Sequence, residues 1–197
     1  MPERRLHAGE GAQIRAAALL VTEGALVELS AADAREIVSY MRPTRLPAGS
    51  VVIRAGEAAS SDFMALLLDG EVTVENDLSA TQDSVVVSVL GPGSLIGDMG
   101  FIGGAPRSAT CIASTDLALA VLPRQAMTRL MDERPVVAAR LLMAIAKRIA
   151  DHLRETSKKY AILSQVHKAL EQELEAAHGV NKRLLDKIAA LGGTPSE

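Results

Sequence analysis

Three hydrophobic periods follow one another along the chain. From Leu6 to Leu29 the apolar residues Ile14, Ala17 and Leu20 fall at helical spacing, with Gly24 as a break, and predict a helical lead-in. A second helix is predicted from Ser30, whose hydroxyl can cap free amides while Asp33 sits in the first turn. Ile37, Val38 and Met41 form its apolar face and Pro43 ends it. From Leu46 the period shortens to β-branched and aliphatic runs, "SVVIR", "DFMALLL", "EVTVE", "SVVVSVL", "TCIAS" and "LALAVL", punctuated at Pro47, Asp69, Asn76 and Gly91. Such strands predict an antiparallel β-roll or jelly-roll barrel, and Asp69-Gly70 within "LLLDGEVTV" predicts a hairpin with a primed turn.

After Leu122 the helical period returns. Pro135 suits a first-turn position, and no proline interrupts the chain from there to Leu191. A heptad register runs through this stretch, with Leu142, Ile149, Thr156, Leu163, Leu170, Ala177, Leu184 and Leu191 at d. Ala146, Leu153, Tyr160, His167, Leu174, Asn181 and Ile188 occupy a. Leucine dominates d, and an asparagine at a is satisfied by its twin across a dimer, so the pattern predicts a parallel two-stranded coiled coil. Gly179 falls at the outer f position, where it softens the helix without touching the seam. The fold expected is α+β: an N-terminal helical lead-in over 1–45, a β-roll over 46–134, a long helix and homodimeric coiled coil over 135–191, and a disordered tail over 192–197.

Composition narrows the function classes. A net charge of −3 with 48% hydrophobic residues describes a soluble domain with no overall pull toward nucleic acid or anionic membrane. The single cysteine, Cys111, lies in a predicted strand and reads as a small core residue, and no stretch reads as a targeting or membrane segment; a cytoplasmic protein is expected. Aromatic residues make up 2% of the chain, too few for base-stacking platforms. His7, His152, His167 and His178 are scattered, so no metal site is expected. Without a nucleophile elbow, a Walker loop or paired catalytic carboxylates, no enzyme activity is expected either. The mixed charges Lys158, Lys159 and Lys168 against Glu171, Glu173 and Glu175 read as a solvated coiled-coil face or as a selector of a partner helix.

The stretch "GDMGFIGGAPRSAT", Gly97 to Thr110, carries the chemistry. Small residues with exposed amides and a nearby arginine suit an anion, and a neighbouring carboxylate suits a sugar hydroxyl. Gly97 and Gly100 let backbone approach a ligand, Met99 and Phe101 tuck a short helical turn into the barrel, Arg107 offers a guanidinium, and Ser108 and Ala109 add donors. On the residues alone, a tight loop with a surface pair between Asp98 and Arg107 explains the same stretch.

The ordered set "PAGSVVIRAGE", "FMALLLDGEVTV" and "LGPGSLIGDMGFIGGAPRSAT" resembles the cyclic nucleotide-binding domain family, the sensor of catabolite-activator-type bacterial regulators, over roughly Leu29 to Ala161. The resemblance implies a phosphate-binding cassette over 95–110. Ile96, Gly97, Met99 and Gly100 shape it, Asp98 takes the ribose 2′-hydroxyl, Arg107 takes the cyclic phosphate, and Ser108 and Ala109 add donors. It further implies Val87 and Ser88 on the base side and Arg148, His152 and Leu153 as base contacts from the long helix, with His152 alternatively facing the coil. The implied ligand is a 3′,5′-cyclic nucleotide, cyclic AMP before cyclic GMP, with no metal. Cyclic di-GMP, or no ligand at all on a structural adaptor, are the alternatives. Two departures stand out. The family's usual glutamate is here Asp98, about 1.5 Å shorter in reach. Heptads stand where catabolite-activator relatives place a helix-turn-helix, which implies signalling to a partner protein through the coil and no direct DNA binding.

Overall fold

The computed structural model describes residues 3–57, 63–77, 84–104 and 106–191; the expected tail at 192–197 lies outside them. Helices α1 (Glu3–Leu20) and α2 (Ala31–Ser39) lead into strands β1 (Arg42–Leu46), β2 (Val51–Ile53), β3 (Phe63–Asp69), β4 (Val72–Asp77), β5 (Ser84–Leu90) and β6 (Leu95–Ile96). A short helix α3 (Asp98–Gly103) precedes β7 (Thr110–Ala113) and β8 (Leu117–Pro123), and α4 (Arg124–Glu133) and α5 (Pro135–Leu191) follow. The strands make two four-stranded antiparallel sheets, ordered β1-β8-β3-β6 and β2-β7-β4-β5. This is the expected roll between N-terminal helices and a long C-terminal helix.

β3 shows why its sequence does not alternate. Met64 and Leu66 pack into a cluster with Leu20, Ile37, Leu130 and Leu141 from the helices, whereas Leu67 joins the other cluster with Ile53, Val72, Ile96, Cys111 and Leu119. A strand covered on both faces is apolar throughout. β8 divides the same way, Leu117 and Leu119 to one cluster, Ala120 and Leu122 to the other.

Four local expectations are corrected. Asp69-Gly70 does not close a hairpin, because β3 pairs with β6 and β8 while β4 pairs with β5 and β7, so the chain changes sheets there. Gly70 has φ 91°, and a Cβ on it would lie 2.3 Å from the Asp116 carbonyl oxygen, so the glycine serves a close backbone crossing. Asn76 continues β4 instead of turning it. Pro43 does not stop α2, which ends at Ser39; it lies in β1, an edge strand paired only with β8, where a missing N–H is tolerated. Ile14 is 62% exposed, while Ala16, Ala17 and Leu20 carry the buried face of α1.

At the opposite sheet, β5 is an edge strand with a bulge: Glu75 pairs with Val86 and Val74 with Ser88, leaving Val87 as the extra residue.

Ser30 caps α2 as expected. Its hydroxyl accepts from the Asp33 amide at 3.1 Å and donates to Asp33 Oδ2 at 2.7 Å, and Arg140 Nη1 reaches Asp33 Oδ1 at 3.0 Å. The Ser30 hydroxyl first, and Arg140 with it, hold the buried Asp33 carboxyl below its ordinary value against the opposing effect of burial. Further pairs tie the same N-terminal segment to the helices that follow the roll: Arg134, between α4 and α5, with Glu36 at 2.7 Å, and Lys147 of α5 with Glu28.

The chain divides into two units, Met1–Ile149 and Ala150–Glu197, and α5 runs through both. In the first, Ala138, Leu141, Ala144 and Ile145 are buried in the helix-side cluster. In the second, the α5 residues Leu153, Leu163, Leu170, Leu174 and Leu184 are all more than half exposed. Among the described residues no helix is long and apolar enough to cross a membrane.

Candidate functional site

The site is built around α3. Gly97 precedes it at φ 80°, turning the chain from β6 so that Asp98 becomes the first helical residue. Phe101, 1% exposed, anchors the helix. Arg124, at the start of α4, lies 5.0 Å from the Phe101 ring centroid and donates to its carbonyl. Met99 is 46% exposed, which corrects the expectation that it tucks inward with Phe101. Positions two apart on a helix lie about 200° apart around the axis, so one turn cannot bury both.

Arg107 is buried, at 7% exposure. Its backbone is held by the turn before the undescribed 58–62 segment: the Gly56 amide donates to Arg107 O at 2.9 Å and the Arg107 amide to Glu57 O at 3.2 Å. The guanidinium donates to Gly97 O at 2.7 Å and Phe63 O at 2.8 Å, and it lies 5.3 Å from the Phe63 ring centroid. The two glycines make room for it. A Cβ would come within 2.8 Å of Arg107 Nη1 on Gly97 and within 2.9 Å on Gly100. Both glycines thus leave the space that the arginine fills.

Asp98 is not paired with Arg107. Its Oδ2 accepts from Arg148 Nε at 3.1 Å and its Oδ1 from the Met99 amide at 3.0 Å. Arg148, on α5, also donates through Nη1 to the carbonyls of Gly24 and Ala25. The simple loop with an Asp98–Arg107 surface pair is therefore not what forms. Cys111, on β7, is a core residue; burial pushes its thiol up to about 11, against the opposing charge of Arg107, so it is protonated at neutral pH.

Residues 43–134, which include Asp98 and Arg107, match the family model of the cyclic nucleotide-binding domain. Over that stretch the chain is similar to this family. A cyclic nucleotide-gated potassium channel of Rhizobium etli is 42% identical over 92 residues, covering 47% of this chain and 23% of the channel. A cyclic AMP receptor protein of Thermus thermophilus is 25% identical over 170 residues, covering 81% of this chain and 74% of that protein. Among solved structures, a cyclic nucleotide-binding domain from Methylobacillus flagellatus superposes with a TM-score of 0.64 at 27% identity, covering 75% of this chain and 81% of that one. This chain thus spans under a quarter of the channel's length.

The structure packs Arg107 against Gly97 and Gly100 and pairs Asp98 with Arg148, which lies beyond the matched residues, while Ile96 is buried at 2% exposure. Ser108 is exposed and Ala109 half-buried in the loop that follows Arg107. Val87 and Ser88 are exposed on the bulged edge strand. His152 and Leu153 belong to the second unit and are exposed. Sequence reasoning missed Phe63, which holds Arg107 by a backbone carbonyl and its ring, and the Gly24 and Ala25 carbonyls that hold Arg148. Carbonyls carry no residue signature; the aromatic ring at Phe63 is the one cue the sequence contained.

Proposed function

We propose that this chain is a cytoplasmic sensor that binds a 3′,5′-cyclic nucleotide, cyclic AMP before cyclic GMP, and signals to a partner protein through a homodimeric coiled coil. The observation that carries the reading is that the buried Arg107 guanidinium lies against Gly97 and Gly100, the glycines that flank Asp98 and Met99 at the start of α3, among the residues that match the cyclic nucleotide-binding domain. Arg107 pairs with the cyclic phosphate through its planar fork of donors, and the amides of Ser108 and Ala109 add to it. Asp98 accepts from the ribose hydroxyl, and Ile96, Met99 and the two glycines shape the floor. Val87 and Ser88, and His152 and Leu153 from α5, stand as base-side candidates. The action is binding without turnover and without a metal. Cyclic AMP is favoured by the relative named as its receptor, which covers most of this chain.

The exposed leucines of the second unit support the dimer, since a helix with apolar residues at heptad spacing gains by covering them with a twin. Heptads follow the matched residues, and they are the surface proposed to meet a protein partner. Calorimetry with cyclic AMP, cyclic GMP and cyclic di-GMP tests the reading. The wild type is expected to bind cyclic AMP, and Arg107→Ala to lose about a hundredfold or more, the scale of a charge-assisted bidentate contact. Binding undiminished by Arg107→Ala removes the cassette assignment, and a dimer that binds none of the three is a structural adaptor.

A further inference from the structure

The carboxylate assigned to the ribose already has a cationic partner. Asp98 Oδ2 meets Arg148 Nε at 3.1 Å, with side chains only 15% and 27% exposed, so solvent screens the pair less than a surface bridge. The same guanidinium is bound through Nη1 to the carbonyls of Gly24 and Ala25. That turn is itself packed on the one before β6, for a Cβ on Gly24 would lie 2.9 Å from Gly93 O. Arg148 thereby joins three segments: α5, the turn after α1, and the cassette. Its position 50 residues from Asp98 places it outside the matched 43–134.

We propose that Arg148 is a resident competitor for Asp98, so that nucleotide binds by exchanging a ribose hydroxyl for this guanidinium and the exchange sets both affinity and sugar selectivity. The proposal rests on the nucleotide reading above. Asp98 has one oxygen on the Met99 amide and the other on Arg148, so a sugar hydroxyl that approaches Oδ2 competes with Nε for a carboxylate whose charge is already partnered. Arg148 does not become an isolated charge when it lets go, because the Gly24 and Ala25 carbonyls retain it. A cyclic nucleotide without a 2′-hydroxyl has nothing to offer in exchange and leaves the pair closed. The closed form lowers apparent affinity by the fraction of molecules in which Asp98 is free. The role expected from resemblance, a base contact, makes the opposite prediction for the same residue.

The test is calorimetry with cyclic AMP and its 2′-deoxy analogue on the wild type, Arg148→Met, Arg148→Lys, Asp98→Asn and the double variant Asp98→Asn/Arg148→Met. Urea unfolding of the same proteins without nucleotide accompanies it. Removing the competitor is expected to tighten cyclic AMP about tenfold in Arg148→Met, equivalent to one charge-assisted hydrogen bond. Arg148→Lys, which keeps the charge but lacks the fork, shifts binding the same way by less. Neither the 2′-deoxy analogue nor the Asp98→Asn background shows the gain, and unfolding of the four proteins in the cycle is non-additive. Weaker or unchanged cyclic AMP binding in Arg148→Met, with the wild type still binding, overturns the exchange alone. Loss of nucleotide binding by every protein in the set, with a coupled unfolding cycle, overturns the nucleotide reading and the exchange with it.

Discussion

One helix, α5, lives in two environments. Over residues 135–149 it lays Ala138, Leu141, Ala144 and Ile145 into the helix-side core, each at most 4% exposed. Over residues 150–191 its Leu163, Leu170 and Leu174 are 65%, 58% and 59% exposed. Apolar residues are dense in the first stretch, 11 of 15 positions, and sparser in the second, 19 of 42, and only in the first does the same domain cover them. The first stretch is held by its own domain, and under the proposed coiled coil the second is covered by a twin. Mutations of equal chemistry in the two stretches should therefore report on different equilibria.

Leu141→Ala gives the largest expected effect. It empties a fully buried site and is expected to lower the unfolding free energy of the domain by about 3 kcal/mol, read as a urea or thermal midpoint. Gly97→Ala follows, at about 2 kcal/mol, because its φ of 80° and the 2.8 Å approach of Arg107 Nη1 leave no room for a methyl. That variant also tests whether strain at the cassette reaches Arg107, since nucleotide affinity should fall with it. Ser30→Ala removes a helix cap and is expected to cost about 1 kcal/mol. Leu174→Ala is the control on the other side of the comparison. It should move the domain's unfolding midpoint by no more than about 0.5 kcal/mol while shifting the monomer–dimer equilibrium in sedimentation. If it destabilises the domain as Leu141→Ala does, the contrast between the stretches is lost.

Acid separates the two stretches as well. Asp33 has a folded-state value below the ordinary 3.8, set by the Ser30 hydroxyl and Arg140, so its contribution is fully present above that ordinary value. It is lost as pH falls from 3.8 through the lowered folded value, where the unfolded chain takes up the proton first. Stability of the wild type should drop over that window, and Asp33→Asn should flatten the drop in urea midpoints measured down to pH 3.

The roll and the helices on either side of it were legible in the sequence, because burial on one or two faces writes a period that survives in single residues. Phe63 to Leu68 reads as a strand from its unbroken apolar run, and the structure covers both faces of it. Pairing was not legible at Asp69-Gly70: turn chemistry describes four residues of backbone, whereas the partners of β3 and β4 come from strands far along the chain. At the site, the cassette residues were legible as a set because they are close in sequence. The link from Asp98 to Arg148 was not, since it depends on how α5 returns past the cassette. Arg148 was expected beside the pocket on grounds of resemblance, but no local pattern could have named its partner.

The bulge at Val87 bears on how this protein behaves at high concentration. Val86, Val87 and Val89 are 54%, 59% and 59% exposed on a strand whose outer edge has no neighbour within the sheet order, which is the profile of a seed for intermolecular strand addition. The extra residue throws the hydrogen-bonding groups out of the regular spacing that an incoming strand would need, while Pro43 withholds a donor on the far edge of the other sheet. Two of the roll's four sheet edges are thereby blunted against fibril-like growth. Deleting Val87 would keep Val86 and Val89 on the edge and remove the guard, and the domain is then expected to precipitate more readily on standing.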